Sequence, residues 1–217
     1  MSHTAAPRFE KSKKPTKSSM EKKFWCPTVI LADADYLDEI TSEIVAGLAR
    51  HLHREVESAD LCVWLDNLAL DGGLQPGENE IHVIFLHEKY SQKFYNFVPS
   101  NFEQEISGQA FKDAIGEFKL VAFPVEEIVT IELLFQQCFE HLKQQPEVER
   151  IILVGNMEEY GARVVKSCEG IEGKQIIVLG LREMKGKGFV WKNIAFSLAA
   201  ALGIVPEDFE APDEKAR

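Results

Sequence analysis

The stretch Thr28-Val-Ile-Leu-Ala-Asp33-Ala-Asp35 decides the fold class of this chain. Its first five residues form a short, continuous apolar run, which is typical of a strand buried on both faces of a parallel sheet. The run ends at two aspartates. A helix is predicted to follow, because apolar residues then recur near a spacing of 3.6, at Leu37, Ile40, Ile44, Leu48 and Leu52.

Further apolar runs alternate with helical patterns along the rest of the chain. They predict strands at 81–86, 118–123, 150–154 and 175–179, and helices at 102–115, 131–145, 158–168 and 189–202. Residues 59–71 fit either a strand or a helix. This alternation predicts a three-layer, Rossmann-like α/β fold, with a mainly parallel sheet of about five strands and helices on both faces.

The length of 217 residues suits one sizeable core. We expect a disordered basic tail at 1–23, a single α/β domain at 24–209 and an acidic tail at 210–217. Residues 1–23 carry seven basic and two acidic side chains, a balance of +5, whereas the whole chain carries −11. A strongly acidic body argues against a broad, sequence-independent grip on phosphate backbones.

The sequence predicts a cytoplasmic protein that is not inserted in a membrane. No apolar run approaches the roughly 20 residues of a spanning helix. The charged stretch from Arg8 to Lys23 is also not followed by the apolar segment of a secretory signal. The four cysteines lie far apart without a CxxC pair, so we expect buried, reduced thiols.

Acidic residues follow three of the predicted strands, and parallel sheets bind ligands beyond the carboxyl ends of their strands. Hard cations such as Mg²⁺ and Mn²⁺ prefer carboxylates that converge in this way. The alternative is helix capping, because helix amino termini favour negative charge. Capping accounts less readily for an aspartate that directly ends a buried strand. The acids in question are Asp33, Asp35, Glu126, Glu127, Glu132, Glu158 and Glu159.

Two other segments have competing interpretations. Lys185 and Lys187, in a glycine-containing loop after the fifth predicted strand, are candidate phosphate contacts or parts of a plain loop. A P-loop is excluded because GxxxxGK[ST] is missing. The aromatic run Phe94-Tyr95-Asn96-Phe97 either stacks on bases, or packs in the core or forms a partner surface. His82 and His87 lie in or beside a strand and are predicted to be structural.

Three motifs resemble PIN-like nuclease domains, particularly the NYN branch. Val29-Ile-Leu-Ala-Asp33-Ala-Asp35-Tyr36 resembles the opening motif of these domains, and Ile152-Leu-Val-Gly-Asn-Met-Glu-Glu159-Tyr160 their strand and glycine-aspartate-x-aspartate-aromatic turn. Gly173-Lys-Gln-Ile-Ile-Val-Leu-Gly180 is similar to the strand that follows. The similarity spans roughly residues 28–181. Two positions depart from the pattern: Met157 replaces the first aspartate of the turn, and Tyr36 replaces an asparagine.

The resemblance implies a divalent-metal ribonuclease that cleaves single-stranded RNA with Mg²⁺ or Mn²⁺ held on carboxylates. Position by position, Asp33 is the principal catalytic and metal ligand, Glu132 the second and Glu159 the third, with Asp35 as a further metal ligand. Because Met157 cannot usefully bind a hard cation, a partly eroded site fits as well. The alternative function is therefore a catalytically inactive Rossmann-like module that binds a protein or a small ligand, and the oligomeric state stays open.

Overall fold

The computed structural model describes residues 10–11, 24–126 and 128–209. Within them the strands are β1 (Glu10–Lys11), β2 (Thr28–Asp33), β3 (Ala59–Asp60), β4 (Asn79–His87), β5 (Phe97–Val98), β6 (Gln109–Lys112), β7 (Gly116–Pro124), β8 (Arg150–Val154), β9 (Gln175–Gly180) and β10 (Val190–Asn193). The α-helices are α1 (Ala34–Leu52), α2 (Leu61–Asp71), α3 (Ile131–Lys143), α4 (Gly161–Cys168) and α5 (Ala195–Ala201). A π-helix covers Phe102–Ile106 and a 3-10 helix covers Pro206–Phe209.

Eight of the described strands form one sheet in the order β1-β6-β7-β4-β2-β8-β9-β10. The six strands from β7 to β10 in this order are parallel, and β6 and β1 extend the β7 side by antiparallel pairing. Counted along the chain, the parallel strands lie in the order 3-2-1-4-5-6, which is the order of Rossmann folds. The short strands β3 and β5 pair separately.

The side chains of the central strand β2 alternate between two apolar cores. Ile30 and Ala32 join a core with residues of α1, α2 and α5, whereas Val29 and Leu31 join a core with residues of α3 and α4. Since both faces of the strand are covered, every position of β2 is buried, as its continuous apolar run predicts. The predicted three-layer α/β fold, with a mainly parallel sheet and helices on both faces, is confirmed.

Two predicted helices are wrong in part. Residues 102–115 begin with the π-helix, but Gly108 at φ 75° turns the chain into β6, where Phe111 stacks on Phe118 with ring centroids 4.5 Å apart. Residues 189–202 begin with β10, which pairs with β9, before α5 starts. These segments add β6 and β10 to the five predicted strands.

Smaller differences concern boundaries and ends. The ambiguous residues 59–71 form β3 followed by α2, and the helix predicted from residue 158 begins at Gly161. Of the predicted basic tail 1–23, only Glu10 and Lys11 are described, and the predicted acidic tail 210–217 and Glu127 lie outside the described residues. Within the described ranges, no helix is both long and apolar enough to cross a membrane.

Candidate functional site

The strand order reverses between β2 and β8, and open α/β sheets bind ligands beyond the strand ends at such a switch point. Asp33, the last residue of β2, lies at the switch point and is only 3% exposed. The backbone N–H of Tyr36 donates to Oδ1 of Asp33 at 3.1 Å. The hydroxyl of Tyr160 donates to Oδ2 at 2.9 Å. Asp33 therefore caps α1 and has a protein partner on each carboxylate oxygen.

Tyr160 reaches Asp33 because the residue that follows β8 is a glycine. A Cβ on Gly155 would collide with the hydroxyl oxygen of Tyr160. That oxygen also accepts the backbone N–H of Asn156 at 2.8 Å. Burial and the nearby Asp33 raise the pKa of Tyr160, so the phenol keeps its proton and acts as the donor.

The buried position of Asp33 disfavours its ionised form. Burial raises the pKa of Asp33 from its usual 3.8 to about 6, against the lowering effect of the hydrogen bonds from Tyr36 and Tyr160. The neighbouring acids Asp35 and Glu88 raise it further. Asp33 thus resembles a structural buried carboxyl that is stabilised by two donors.

Two acids in the first turns of α1 hold the loop that follows β4. Asp35 accepts the backbone N–H of Glu88 at 2.6 Å and the hydroxyl of Ser91. Asp38 accepts the backbone N–H groups of Tyr95 and Asn96, with shortest distances of 2.9 Å to each. We call residues 88–101 the cap loop. These two aspartates therefore hold the cap loop in place. Capping of α1 alone would not account for their contacts with this loop.

The other two predicted ligands are also bound to neighbouring side chains. Glu132, in the first turn of α3, pairs with Arg163 of α4 at 2.9 Å. Glu159 accepts the side-chain amide of Asn156 at 3.1 Å. Among the described residues, no group of three or more His, Cys, Asp or Glu side chains is placed to hold a metal ion. The described side chains therefore form no ligand set for the predicted Mg²⁺ or Mn²⁺. The metal remains a prediction.

The crevice at the switch point is small and partly apolar. Its volume is about 140 Å³, and Tyr36, Met157 and Met184 are among its lining residues. A Cβ on Gly161 would lie 3.2 Å from Cβ of Met157 and 3.0 Å from Sδ of Met184, so both methionines pack onto the start of α4. The two thioethers line this crevice together with the acids Glu158 and Glu183, and a thioether is a poor ligand for a hard cation.

The candidate phosphate contacts Lys185 and Lys187 are exposed. Their loop runs back along α4, since a Cβ on Gly188 would collide with the carbonyl oxygen of Cys168, the last residue of that helix. Because α4 follows β8 and leads back towards the start of β9, Gly188 lies at the opposite end of the sheet from Asp33. The structure therefore does not bring Lys187 to the predicted carboxylates.

A cavity with a volume of about 400 Å³ lies at the carboxyl edge of the sheet, beyond β4 and β7. We call it the β4–β7 cavity. The His87 ring, 7% exposed, stacks on Phe102 with centroids 4.3 Å apart. Its Nδ1 lies 3.0 Å from the carbonyl oxygen of Glu88. The lining is formed by residues of these strands, the cap loop and the π-helix: His87, Lys89, Ser91, Gln92, Asn101, Phe102, Glu103, Gln104, Ser107, Ala122 and Pro124.

Comparison with known proteins adds a family assignment. Residues 22–209 match a family described as a family of unknown function (DUF6621). The chain belongs to DUF6621. No curated protein and no solved structure matches this DUF6621 chain. The family description names no activity, so the function of the DUF6621 protein has to be inferred from the site itself.

Sequence reasoning missed three residues that shape this edge of the DUF6621 protein. Tyr160 is the aromatic residue of the turn that resembles the PIN-like motif. Its bond to Asp33 could not be predicted, because the two residues lie 127 positions apart. No sequence motif pointed to Asp38, which is one of several acids on α1. His87 was predicted to be structural, and its stacking on Phe102 fits that role, but it also lines the β4–β7 cavity. The exposed Tyr95 separates Phe94 and Phe97, which are core residues as one alternative predicted.

Proposed function

We propose that the DUF6621 protein is a catalytically inactive, Rossmann-like binding module. One observation carries this proposal: each carboxylate predicted as a metal ligand already has a partner within the protein. Asp33 is bound by Tyr160 and Tyr36, Asp35 by the cap loop, Glu132 by Arg163 and Glu159 by Asn156. Partners of this kind stabilise the fold.

The competing function is the ribonuclease implied by the PIN-like resemblance. It requires Mg²⁺ or Mn²⁺ on Asp33, Glu132 and Glu159, and single-stranded RNA as substrate. The metal would compete with the Tyr160 hydroxyl for Asp33 and with Arg163 for Glu132. Met157 would still contribute no hard ligand. These requirements make the binding module the better-supported proposal.

Calorimetric titration with MnCl₂ and MgCl₂ tests the proposal, on the wild type and on Asp33→Asn. We expect no saturable heat in either protein and no metal-dependent rise in Tm, because only binding to the native state raises Tm. Incubation with single-stranded RNA in the same buffers should give no cleavage. Glu39→Gln, which changes an exposed acid of α1, is the matched control.

The opposite result has a clear signature. Saturable Mn²⁺ binding, together with RNA cleavage, would be present in the wild type and in Glu39→Gln and would be lost in Asp33→Asn. That pattern would establish the ribonuclease and overturn the inactive module. Cleavage that persists in Asp33→Asn would instead indicate a contaminating nuclease, and the proposal would stand.

A further inference from the structure

The β4–β7 cavity has the size and the lining of a site for a small molecule. Its volume of about 400 Å³ falls within the usual range of ligand pockets, about 300–1,000 Å³. It lies beyond the carboxyl ends of two parallel strands, at the same edge of the sheet as the switch point between β2 and β8. We propose that this cavity binds a small, planar, uncharged heterocycle of the nucleobase or nucleoside type. The inference rests on the proposed binding function and names its ligand.

His87 provides the first polar contact. The contact between Nδ1 and the Glu88 carbonyl oxygen places the ring proton on Nδ1, because a carbonyl only accepts. A neutral ring then presents Nε2 as an acceptor, and Nε2 has no partner among the described residues. His87 lines the cavity and is only 7% exposed, so an N–H or O–H of a ligand in the cavity can donate to this acceptor.

Carboxamide side chains provide the second set of contacts. Oδ1 of Asn101 accepts the backbone N–H groups of Glu103 and Gln104, at 3.1 and 2.8 Å, which leaves its amide nitrogen as a donor. Gln92 and Gln104 also line the cavity, and their side-chain amides have no hydrogen-bond partner among the described residues. A carboxamide offers a donor and an acceptor side by side, and the edges of nucleobases present the complementary pair.

The remaining lining indicates the shape and charge of the ligand. Phe102, Ala122 and Pro124 contribute apolar surface against which a flat ring can pack. Among the described lining residues, one basic and one acidic side chain, Lys89 and Glu103, balance each other. This balance favours an uncharged heterocycle over a nucleotide, whose phosphates would require an excess of positive charge.

The cavity is also organised before a ligand arrives. Asp35 and Asp38 fix the cap loop from α1, and Glu105 accepts the backbone N–H groups of Ser100 and Asn101, both at 2.9 Å. A lining that is already ordered loses little conformational entropy when it binds.

Titration of the ¹⁵N-labelled protein with adenosine, guanosine, cytidine and uridine tests the inference by NMR, with ribose as the probe that lacks a base. We expect at least one nucleoside to shift backbone amide resonances within residues 87–107 and 122–124, and ribose to shift none. Gln104→Ala and His87→Phe should each weaken binding about tenfold, the order of one hydrogen bond. His87→Phe keeps a ring to stack on Phe102. Gln137→Ala, which truncates an exposed glutamine of α3, should leave affinity unchanged.

Other outcomes overturn the inference. It fails if no nucleoside shifts these resonances, if ribose shifts them equally, or if the shifts map elsewhere. If His87→Phe does not fold, the positions of the shifted resonances in the wild type and the affinity of Gln104→Ala still test the inference. Such a failure leaves the proposed inactive module intact when the metal and RNA experiments are negative. Metal-dependent cleavage lost in Asp33→Asn would overturn the proposed function whatever the nucleosides do.

Discussion

The hydroxyl of Tyr160 donates to Oδ2 of Asp33 at 2.9 Å, although the two residues are 127 positions apart. Asp33 ends β2 and Tyr160 precedes α4, so this bond joins the segments that follow the two central strands. Both side chains are buried, with exposed fractions of 3% and 2%. The aspartate that resembles a catalytic ligand is therefore part of the framework at the switch point.

Tyr160→Phe should destabilise the protein, because it leaves the buried Asp33 carboxylate without one of its two donors. The expected loss in the free energy of unfolding at neutral pH is about 1–3 kcal/mol. Urea denaturation followed by far-UV circular dichroism measures it. Tyr95→Phe, at a side chain that is 78% exposed, is the matched control and should change little. Equal stabilities of the two variants would contradict a structural role for the Tyr160–Asp33 bond.

Gly155→Ala should displace Tyr160, since the new Cβ would collide with its hydroxyl oxygen. We expect a loss of about 1–3 kcal/mol, the usual effect of overpacking. Gly47→Ala is the control: it lies inside α1, and a Cβ there meets nothing within 4 Å. That variant should gain about 0.5–1 kcal/mol from helix propensity. Thermal denaturation of both variants checks the difference in sign, and a stabilised Gly155→Ala would refute the proposed close approach.

Asp38→Ala should loosen the cap loop by removing the acceptor of the Tyr95 and Asn96 backbone N–H groups. The two amides should exchange with deuterium faster, and the free energy of unfolding should fall by about 1–3 kcal/mol. Hydrogen exchange followed by NMR measures the first effect. Glu39→Ala, at the exposed neighbouring acid, should leave both amides protected. Unchanged exchange in Asp38→Ala would mean that the loop is held by other contacts.

The Asp66–Asp113 pair should make stability depend on pH. Asp66 of α2 lies near Asp113, in the turn between β6 and β7, and the two carboxyl groups interact. Oδ1 of Asp66 and Oδ2 of Asp113 are buried without a partner among the described residues, so a shared proton would satisfy them. Burial, and then Asp113, raise the pKa of Asp66 to about 8, with a smaller contribution from Asp60. Burial, and then Asp60, Asp66 and Asp113, raise the pKa of the neighbouring Cys62 thiol.

The sign follows from the higher pKa in the folded state. The folded protein keeps a proton on Asp66 that the unfolded chain releases above about pH 4, so this group stabilises most at low pH and its contribution is lost as pH rises towards 8. Asp66→Asn should flatten that loss and raise the free energy of unfolding at pH 8. Urea titrations between about pH 5 and pH 9 measure it. Because Asp33 titrates near 6, the difference between the variant and the wild type above about pH 6 reports on Asp66. An identical pH profile in the variant would contradict the shared proton.

The fold could be predicted where a strand or helix has a regular pattern of its own. The continuous apolar run before Asp33 and the apolar spacing from Leu37 to Leu52 are local signals, and the structure contains both elements. Val190–Asn193 was missed because four residues next to a helical pattern carry too little periodicity, and pairing with β9 decides their conformation. The positions of the strand-end acids were likewise predictable, but their partners were not. Ser91 and Tyr160 lie 56 and 127 residues from the aspartates they bind.

The position of β10 at the end of the sheet has a consequence for how the protein behaves at high concentration. Among the described strands, only β9 pairs with β10, so the other side of its backbone can template an added strand from another molecule. Lys192 is exposed within this short strand. An added strand would have to pair beside this charged side chain. Edge-to-edge aggregation is therefore disfavoured by one charge at the place where the sheet is open.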